Sequence, residues 1–207
     1  MNRNRDVVRD GYRIIADEYH RGRLAKEAVN VEWLDGLREF LPSCGRVTDL
    51  GCGGGVPISR YFVNRGYLVT GYDLSEEMLP IARQEVPNAS FELTAIEDLR
   101  LNPSSVDLVV SFFAIIHVDR ALHEELYARI YSWLRGGGAA LLSLGAEDNP
   151  NQQSDDWHGA PMAWSHFDAE TNLALLARTG FELRWHEVDD FGDEKHLIVI
   201  AEKPSAS

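Results

Sequence analysis

The sequence predicts an α/β fold in which a mostly parallel sheet carries helices on both faces. Helix-like and strand-like segments alternate along the 207 residues, a pattern typical of parallel strands joined by helical crossovers. The segment 106–113 is apolar except at Asp107 and Ser111, as expected for a strand buried on both faces. A glycine-rich turn at 51–55 follows a short apolar segment and leads into a predicted helix, an arrangement typical of nucleotide-binding α/β units.

Two helices are predicted before the first strand, over residues 6–28 and 31–41. On the first, apolar and aromatic residues between Val8 and Tyr19 recur at helical spacing and mark one buried face. On the second, an apolar stripe ends at Pro42, which cannot continue a helix. The sheet is therefore preceded by a helical layer.

Residue types at the predicted element ends support the rest of the order. Asp119 and Asp168 are candidate N-caps of two helices, and Gly180 stands where a helix C-terminus favours a left-handed residue. The last two strands are expected to pair as an antiparallel hairpin. The elements predicted after the N-terminal helices are strands at 46–50, 67–73, 90–94, 106–113, 138–144, 181–188 and 195–202, and helices at 57–62, 119–134 and 169–179.

Residues 145–167 show no clear periodicity, and we predict a loop there. Unstructured segments of this length are uncommon in compact domains and are often functional. The segment carries large aromatic, methionine and histidine side chains: Trp157, His158, Met162, Trp164 and His166.

Composition limits the class of protein. A chain of this length is long enough for one well-buried domain and short for two. It has no apolar run of about 18 residues that would span a membrane, and its N-terminus lacks the apolar core of a signal peptide. Its two cysteines, Cys44 and Cys52, show no zinc-ligand spacing. A cytoplasmic protein with reduced thiols is expected.

The charge balance disfavours a nucleic-acid partner. The formal net charge is −13, with three lysines and scattered arginines, whereas phosphate backbones are bound by clustered basic residues. A small-molecule partner is therefore favoured over DNA or tRNA.

The glycine turn does not match the dinucleotide fingerprint G-x-G-x-x-G/A. Counted from Gly51, the third small residue should stand where the chain has Val56, and counted from Gly53 it should stand where the chain has Ile58. An NAD(P)-dependent oxidoreductase on a Rossmann-like sheet is therefore the disfavoured alternative.

The spacing Asp49-x-Gly51-x-Gly53-x-Gly55 instead resembles that of class I S-adenosylmethionine (SAM) methyltransferases. Other segments resemble later motifs of that family and stand in the family's order. They are Tyr72–Ser75, Ala95–Leu99, Val106–Ser111 with Ile116–Val118, and Leu134–Gly138, which has Arg-Gly where Pro-Gly is common. The resemblance is most specific over roughly residues 45–145.

This resemblance implies a Rossmann-like, seven-stranded, mostly parallel sheet that a C-terminal antiparallel hairpin strand completes. It also implies a single methyltransferase domain over residues 1–207. The expected parts are an N-terminal helical lid (1–43), a SAM-binding core (44–145), an acceptor-site loop (146–167) and a C-terminal helix and hairpin (168–207).

The resemblance gives roles to two carboxylates. Asp73, at the end of the second strand, is expected to accept both ribose hydroxyls, and its alternative role is a cap of the helix that begins near Ser75. Asp49 is expected beside the methionine part of SAM. Its alternative role is that of a buried acid that accepts hydrogen bonds from the turn.

Further cofactor contacts are implied around these two residues. The segment Ala95–Glu97 should flank the adenine, with a backbone contact at Ile96, while Glu97 is alternatively a first-turn acid of a helix. Tyr12 and Tyr19 are either cofactor contacts of the lid or packing residues. The full expected set is Tyr12, Tyr19, Asp49, Gly51, Cys52, Gly53, Asp73, Leu74, Met78, Ala95, Ile96, Glu97, Ser111 and Phe112.

Histidines are the candidate catalytic bases. His117, just past the fourth strand, is the first candidate, and its alternative role is to bond the following turn. His158 and His166 in the predicted loop are further candidates. The residues expected to line the acceptor pocket are His20, Trp157 and Trp164.

Together these patterns predict an enzyme that uses SAM, releases S-adenosylhomocysteine (SAH) and methylates an oxygen or nitrogen of a small molecule by in-line displacement. No metal is expected, and the acidic segment 189–194 is interpreted as a solvated turn. A monomer or homodimer is expected. A non-catalytic SAM-binding protein is a further alternative, and the sequence does not identify the acceptor.

Overall fold

The computed structural model of the chain describes residues 3–189 and 195–205, without the side chains of Arg3 and of residues 28–30. The helices are α1 (Arg3–Ala25), α2 (Glu27–Gly36), α3 (Ile58–Asn64), α4 (Met78–Glu85), α5 (His123–Trp133) and α6 (Ala169–Thr179). The strands are β1 (Arg46–Leu50), β2 (Leu68–Asp73), β3 (Ser90–Leu93), β4 (Val106–Ser111), β5 (Leu134–Gly145), β6 (Asn149–Trp157), β7 (Ala160–His166), β8 (Glu182–Asp189) and β9 (His196–Glu202). Short 3-10 turns lie at Arg38–Phe40, Ile115–His117 and Arg120–Leu122.

The main sheet has seven strands in the order β3-β2-β1-β4-β5-β9-β8. The pairs from β3 to β5 are parallel, and β9 runs antiparallel to both of its neighbours. The predicted α/β class, the mostly parallel sheet and its antiparallel C-terminal strand are thus confirmed. Residues 190–194 of the predicted acidic turn lie outside the described residues.

Two apolar cores cover the two faces of this sheet. Along β4, Val109 faces a core that contains Leu126 and Trp133 of α5, whereas Leu108 and Val110 face a core that also includes parts of α2 and α3. This alternation explains why the strand sequence is apolar almost throughout, because both faces are covered. The carboxyl ends of the parallel strands are left open to form a site.

The predicted helix ends agree with the structure in α6 and differ elsewhere. Asp168 accepts a hydrogen bond from the Thr171 amide at 2.7 Å, and Gly180 adopts a φ of 108°. Asp119 accepts from the Ala121 amide at 3.0 Å, but this caps the 3-10 turn before α5, and α5 itself begins at His123.

The N-terminal helices are offset from the predicted ranges 6–28 and 31–41. The first ends at Ala25, and the second covers Glu27–Gly36 before the chain tightens into a 3-10 turn. Apolar periodicity runs through this junction, so it did not mark the break. No helix in the ranges 3–189 and 195–205 combines the length and apolarity needed to cross a membrane.

The predicted loop at 145–167 is wrong, because this segment forms the antiparallel hairpin β6–β7. β6 is largely exposed and polar, β7 is largely buried, and the register shifts twice, so neither strand shows simple alternation in sequence. The connection is a two-residue turn in which His158 and Gly159 both have positive φ, 54° and 85°. Such turns match the twist of paired strands.

Asn172 of α6 closes the base of this hairpin. Its side-chain amide donates to the carbonyls of Gly145 and Phe167, each at 3.0 Å, where the chain leaves β5 and where it returns. Its Oδ1 accepts from the Tyr127 hydroxyl at 2.9 Å. Asn172 is fully buried, so its amide makes these three bonds out of contact with water.

We expect Asn172→Ala to lower the free energy of unfolding by about 2–4 kcal/mol, because it leaves buried polar groups unpaired. Tyr127→Phe, which removes one of the three bonds, should cost about 1 kcal/mol. Urea denaturation of both variants and of the exposed control Arg178→Ala tests this. Equal midpoints for Asn172→Ala and the control would contradict the assignment.

Candidate active site

The glycine-rich turn is held against the neighbouring strand by its own backbone. The amides of Gly51 and Cys52 donate to the Tyr72 carbonyl at the end of β2, at 2.8 and 3.1 Å. Gly51 has a φ of 71°, and a Cβ there would lie 2.2 Å from the Cβ of Ala114. Glycine is therefore required at this position by conformation and by space.

The Asp73 carboxylate is a second hydrogen-bond partner of the glycine-rich turn. One carboxylate oxygen accepts from the Gly53 amide and the other from the Ser75 amide, each at 2.8 Å. Burial raises the pKa of Asp73, and these backbone donors oppose that rise. Asp73 does not cap the following helix, as its alternative role required, because α4 begins at Met78, whose amide donates to the Ser75 hydroxyl at 3.3 Å. Asp73 also lines a cleft.

This cleft lies between the turn, helix α1 and the chain segment that follows β4. About 650 Å³ of space free of protein atoms lies in and above the cleft, open solvent included. Its lining includes apolar, aromatic and charged side chains: Arg5, Val8, Tyr12, Tyr19, Gly51, Gly53, Asp73, Leu74, Met78, Ile96, Glu97, Phe112, Phe113, Ala114, His117 and Val118.

Helix α1 covers the cleft and is packed tightly on the hairpin. A Cβ at Gly11 would lie 2.1 Å from the Pro161 carbonyl oxygen of β7, so helix and strand are in backbone contact. Val8 and Ile15 of α1 share an apolar cluster with Met162 of β7. Helix α1 and the hairpin are therefore packed together as one unit beside the cleft.

His117 presents one ring nitrogen to the cleft. Its Nδ1 lies 2.6 Å from the Ala163 carbonyl and its Nε2 lies 3.3 Å from the Tyr12 hydroxyl. A carbonyl accepts only, so Nδ1 carries the proton and Nε2 is the acceptor. Burial lowers the pKa of His117 to about 4, which keeps the ring neutral at neutral pH.

A second recess continues the cleft beneath the C-terminal half of α1. It is lined by polar groups from three elements, and it shares Tyr19, Gly51, Gly53 and Phe112 with the cleft. Among its polar side chains are His20, Arg23 and Asp49. We call it the inner recess.

Asp49 is buried at the floor of the inner recess. The Ser59 hydroxyl donates to it at 2.6 Å, so its partner is a side chain of α3 and not an amide of the turn. Burial raises the pKa of Asp49 to about 7, against the opposing effect of the Ser59 hydrogen bond.

The methyltransferase-domain family model matches residues 47–138. The Bacillus subtilis protein YqeM, whose name describes a methyltransferase, is 36% identical over 201 residues, which cover 92% of this chain and 79% of that protein. This chain belongs to the class I SAM-dependent methyltransferases. The trans-aconitate 2-methyltransferase of Variovorax paradoxus is 37% identical over 64% of this chain, which spans 48% of that relative's length.

Solved structures agree with this family. A SAM-dependent methyltransferase from Mesorhizobium loti superimposes with a TM-score of 0.67 and 25% identity, over 84% of this chain and 98% of that one. SAM is therefore the cofactor of this methyltransferase. Within the described residues, no group of three or more His, Cys, Asp or Glu side chains is placed to hold a metal ion.

The structure brings most of the predicted cofactor residues of the methyltransferase to the cleft and the inner recess. Ala95 and Ser111 are exceptions, since both are buried and line neither. The Ser111 hydroxyl donates to the Leu50 carbonyl at 3.0 Å and so joins β4 to β1. A cofactor contact of either residue stays a prediction.

The residues predicted to line the acceptor pocket and the histidines predicted as bases lie in different parts of the structure. Trp157 packs against the rings of Tyr12 and Tyr19 and supports them from behind. His166 bonds the Glu147 carbonyl at 2.9 Å, away from the cleft, and His158 lies on the exposed hairpin turn. Of the histidine bases proposed from sequence, His117 is the one in the cleft.

Two further placements refine the expected acceptor pocket. Trp164 is buried and its ring lies 5.9 Å from that of His117, so it backs the histidine and does not face the cleft. His20 lies in the inner recess, next to the glycine turn.

Arg23 was missed by the sequence reasoning. It lines the inner recess, and its guanidinium carbon lies 5.0 Å from the centre of the Phe113 ring. A signal was present, because Arg23 follows Tyr12 and Tyr19 at intervals that keep all three on one helix face.

The raised pKa of Asp49 gives a pH-dependent stability. Between about pH 4 and pH 7 the folded protein keeps the Asp49 proton while the unfolded chain has lost it, so the free energy of unfolding falls as pH rises through this window. Asp49→Asn should remove that fall, worth about 2–3 kcal/mol between pH 5 and pH 8. Urea unfolding at both pH values measures it, with the exposed Asp155→Asn as control. Parallel pH profiles for wild type and Asp49→Asn would refute the assignment.

Proposed function

We propose that this methyltransferase transfers the methyl group of SAM to an oxygen or nitrogen of a small molecule by in-line displacement. The observation that carries the proposal is the position of His117 Nε2, an unprotonated acceptor, in the same cleft as Asp73 and the glycine turn. Cofactor-binding groups and a proton acceptor thus share one enclosed space, as proximity catalysis requires.

The lining residues suit the cofactor. Asp73 has lone pairs left for ribose hydroxyls after its two backbone bonds, and Gly53 faces the cleft with no protein atom within 4 Å of where a Cβ would be. Leu74, Met78 and Ile96 offer apolar surface for an adenine. Bound in this cleft, SAM would supply a sulfonium methyl group, whose carbon the acceptor attacks while the S–CH3 bond breaks and SAH leaves as a neutral thioether.

The amino-acid end of the cofactor suits the inner recess. Arg23 offers a guanidinium for a carboxylate, and Asp49 offers a carboxylate for an ammonium group. An ammonium beside Asp49 would favour the ionised form of that acid and lower its pKa from about 7.

His117 would act as the proton acceptor. The Ala163 carbonyl accepts from Nδ1–H of His117, which leaves Nε2 without a proton. The O–H or N–H of the methyl acceptor would donate to Nε2 from the position that the Tyr12 hydroxyl now occupies. The pKa of about 4 makes the ring a weak base, which suits proton transfer that accompanies bond formation. The methyl acceptor would thus replace the Tyr12 hydroxyl as the hydrogen-bond partner of His117 Nε2.

A small acceptor fits the cleft better than a macromolecule does. The cleft is covered by α1 and the hairpin, and the chain is strongly acidic, which disfavours nucleic acid. The relative named trans-aconitate 2-methyltransferase acts, by its name, on a small carboxylic acid. That likeness supports a small acceptor here and does not name it.

Asp73→Asn should weaken SAH binding by about 100-fold or more, because it removes a charged acceptor of the ribose hydroxyls. Isothermal titration with SAH measures this, with Asp155→Asn as the matched surface control. Circular dichroism should show the variant folded, since Asn keeps an acceptor oxygen for the Gly53 amide. No SAH binding by wild type would refute the proposed function.

His117→Ala should lower kcat by about 10²–10⁴-fold while leaving SAH affinity within about threefold of wild type. With SAM saturating, so that Asp49 is already paired, the acid limb of kcat/KM for the methyl acceptor should fall near pH 4 and not near the usual histidine value, because the neutral ring is the active form. A panel of small carboxylic acids, phenols and amines, tested with methyl-labelled SAM, supplies the assay. His166→Ala is the control, and a loss confined to that control would overturn the role of His117.

A further inference from the structure

Phe113 adopts a backbone conformation that is rare for a large side chain. Its φ is 56°, in the left-handed region where glycine is at ease and asparagine is the next best tolerated. Such strain persists only where the surrounding structure imposes it, and it is concentrated at catalytic and ligand-binding sites. Phe113 follows β4 and lines the cleft, so this conformation places an aromatic ring in the wall of the site.

The Phe113 ring is contacted from two sides. The guanidinium carbon of Arg23 on α1 lies 5.0 Å from the ring centre, and the ring of His196, at the start of β9, lies 4.8 Å from it at an angle of 84°. The ring therefore lies between the helix that covers the cleft and a strand of the sheet. Its backbone strain is the cost of holding the ring at this position.

A second cavity, which we call the outer basin, lies on the other side of this wall. Its lining includes Ile116, Gly145, Gln152, Trp164 and His196. Two pairs of rings separate it from the cleft, and in each pair one ring lines the cleft and the other lines the basin. The pairs are Phe113 with His196, at 4.8 Å, and His117 with Trp164, at 5.9 Å. The proposed base is thus separated from the basin by one ring.

The two ring pairs differ in what holds them. The His117 ring is fixed by the hydrogen bond from its Nδ1 to the Ala163 carbonyl, and it is needed in the neutral form that this bond sets. The Phe113 side chain has no hydrogen-bonding group, so it limits the cleft by its volume alone. Phe113 is therefore the part of the wall that sets how far a bound molecule extends.

We propose that Phe113 determines the size of the methyl acceptor, because its ring closes the cleft toward the outer basin. This inference rests on the proposed function. Acceptors that fit on the cleft side of the ring are favoured, and acceptors with a bulky group beside the reacting atom are excluded by overlap with the ring. A small residue at this position would join the cleft and the basin into one space.

A Phe113 ring that only packs α1 against β9 would behave differently. Its removal would loosen the helix that covers the cleft and would weaken every cofactor ligand alike. A ring that limits size affects only ligands that extend into its place. Two ligands that differ only in the group on the sulfonium sulfur therefore distinguish the two roles.

The test compares SAM with its S-benzyl analogue, in which a benzyl group replaces the transferable methyl group. We expect wild type to bind the analogue about 100-fold more weakly than SAM, because the benzyl group overlaps with the Phe113 ring. Phe113→Gly, which adopts the same φ without strain, should bring the two affinities to within about tenfold of each other. Its affinity for SAM should stay within about threefold of wild type. Isothermal titration measures both ligands.

Two controls accompany this variant. Phe113→Tyr keeps the ring and should keep the discrimination of wild type. Phe167→Ala is the matched control, because the Phe167 ring also lies against an arginine and a histidine, Arg120 at 4.8 Å and His123 at 5.9 Å, but lines neither the cleft nor the basin. Phe167→Ala should leave the discrimination unchanged.

Thermal melting checks that each variant is folded, and Phe113→Asn, which also tolerates a positive φ, replaces Phe113→Gly if the glycine variant does not fold. Unchanged discrimination in the folded variant would overturn the proposal. Equal weakening of both ligands would do so too, as would a wild type that binds the S-benzyl analogue as tightly as SAM. If wild type binds neither SAM nor SAH, the proposed function itself fails.

Discussion

The hydrogen bond from the Gly53 amide to the Asp73 carboxylate is the constraint on which the site depends. It joins the glycine turn after β1 to the end of β2, and the Tyr72 carbonyl holds the turn at a second point. The turn in turn contacts Ala114 after β4, so three strand ends are fixed relative to one another. Residues that would hold ribose, adenine and methionine are therefore positioned by one small piece of rigid backbone.

Helix α1 unites the two halves of the site above that turn. One face of the helix carries Tyr12, which bonds His117, and Tyr19 and Arg23 farther along, which border the inner recess. Close contact between Gly11 and the Pro161 carbonyl ties the helix to the hairpin. Helix and hairpin therefore form one closely packed unit beside the cleft.

Sequence predicted the parts whose signal is local. The mostly parallel sheet follows from apolar runs and from the alternation of helix-like and strand-like segments along the chain. The roles of Asp73 and His117 came from the family resemblance and stay predictions. The hairpin at 145–167 was not predicted, because the polar sequence of β6 has no strand-like alternation. This strand is stabilised by pairing with β7 and by the hydrogen bond of Asn172 at the base of the hairpin. The direction of the Ser111 side chain was not predicted either, since its hydroxyl donates to the Leu50 carbonyl of β1. Side-chain direction depends on neighbours that are distant in sequence.

The buried polar groups of the site make sense as a set that a ligand completes. Burial favours the neutral form of both Asp49 and His117, shifting the pKa of the acid up to about 7 and that of the base down to about 4. His20 lacks hydrogen-bond partners among the described residues. Burial of Asp49 and His117 costs stability in the free protein, and under the proposed function their partners are the ammonium group of SAM and the methyl acceptor. These buried groups lower the stability of the free protein, but they preorganise the site. Because they are already desolvated, ligand binding does not have to remove water from them.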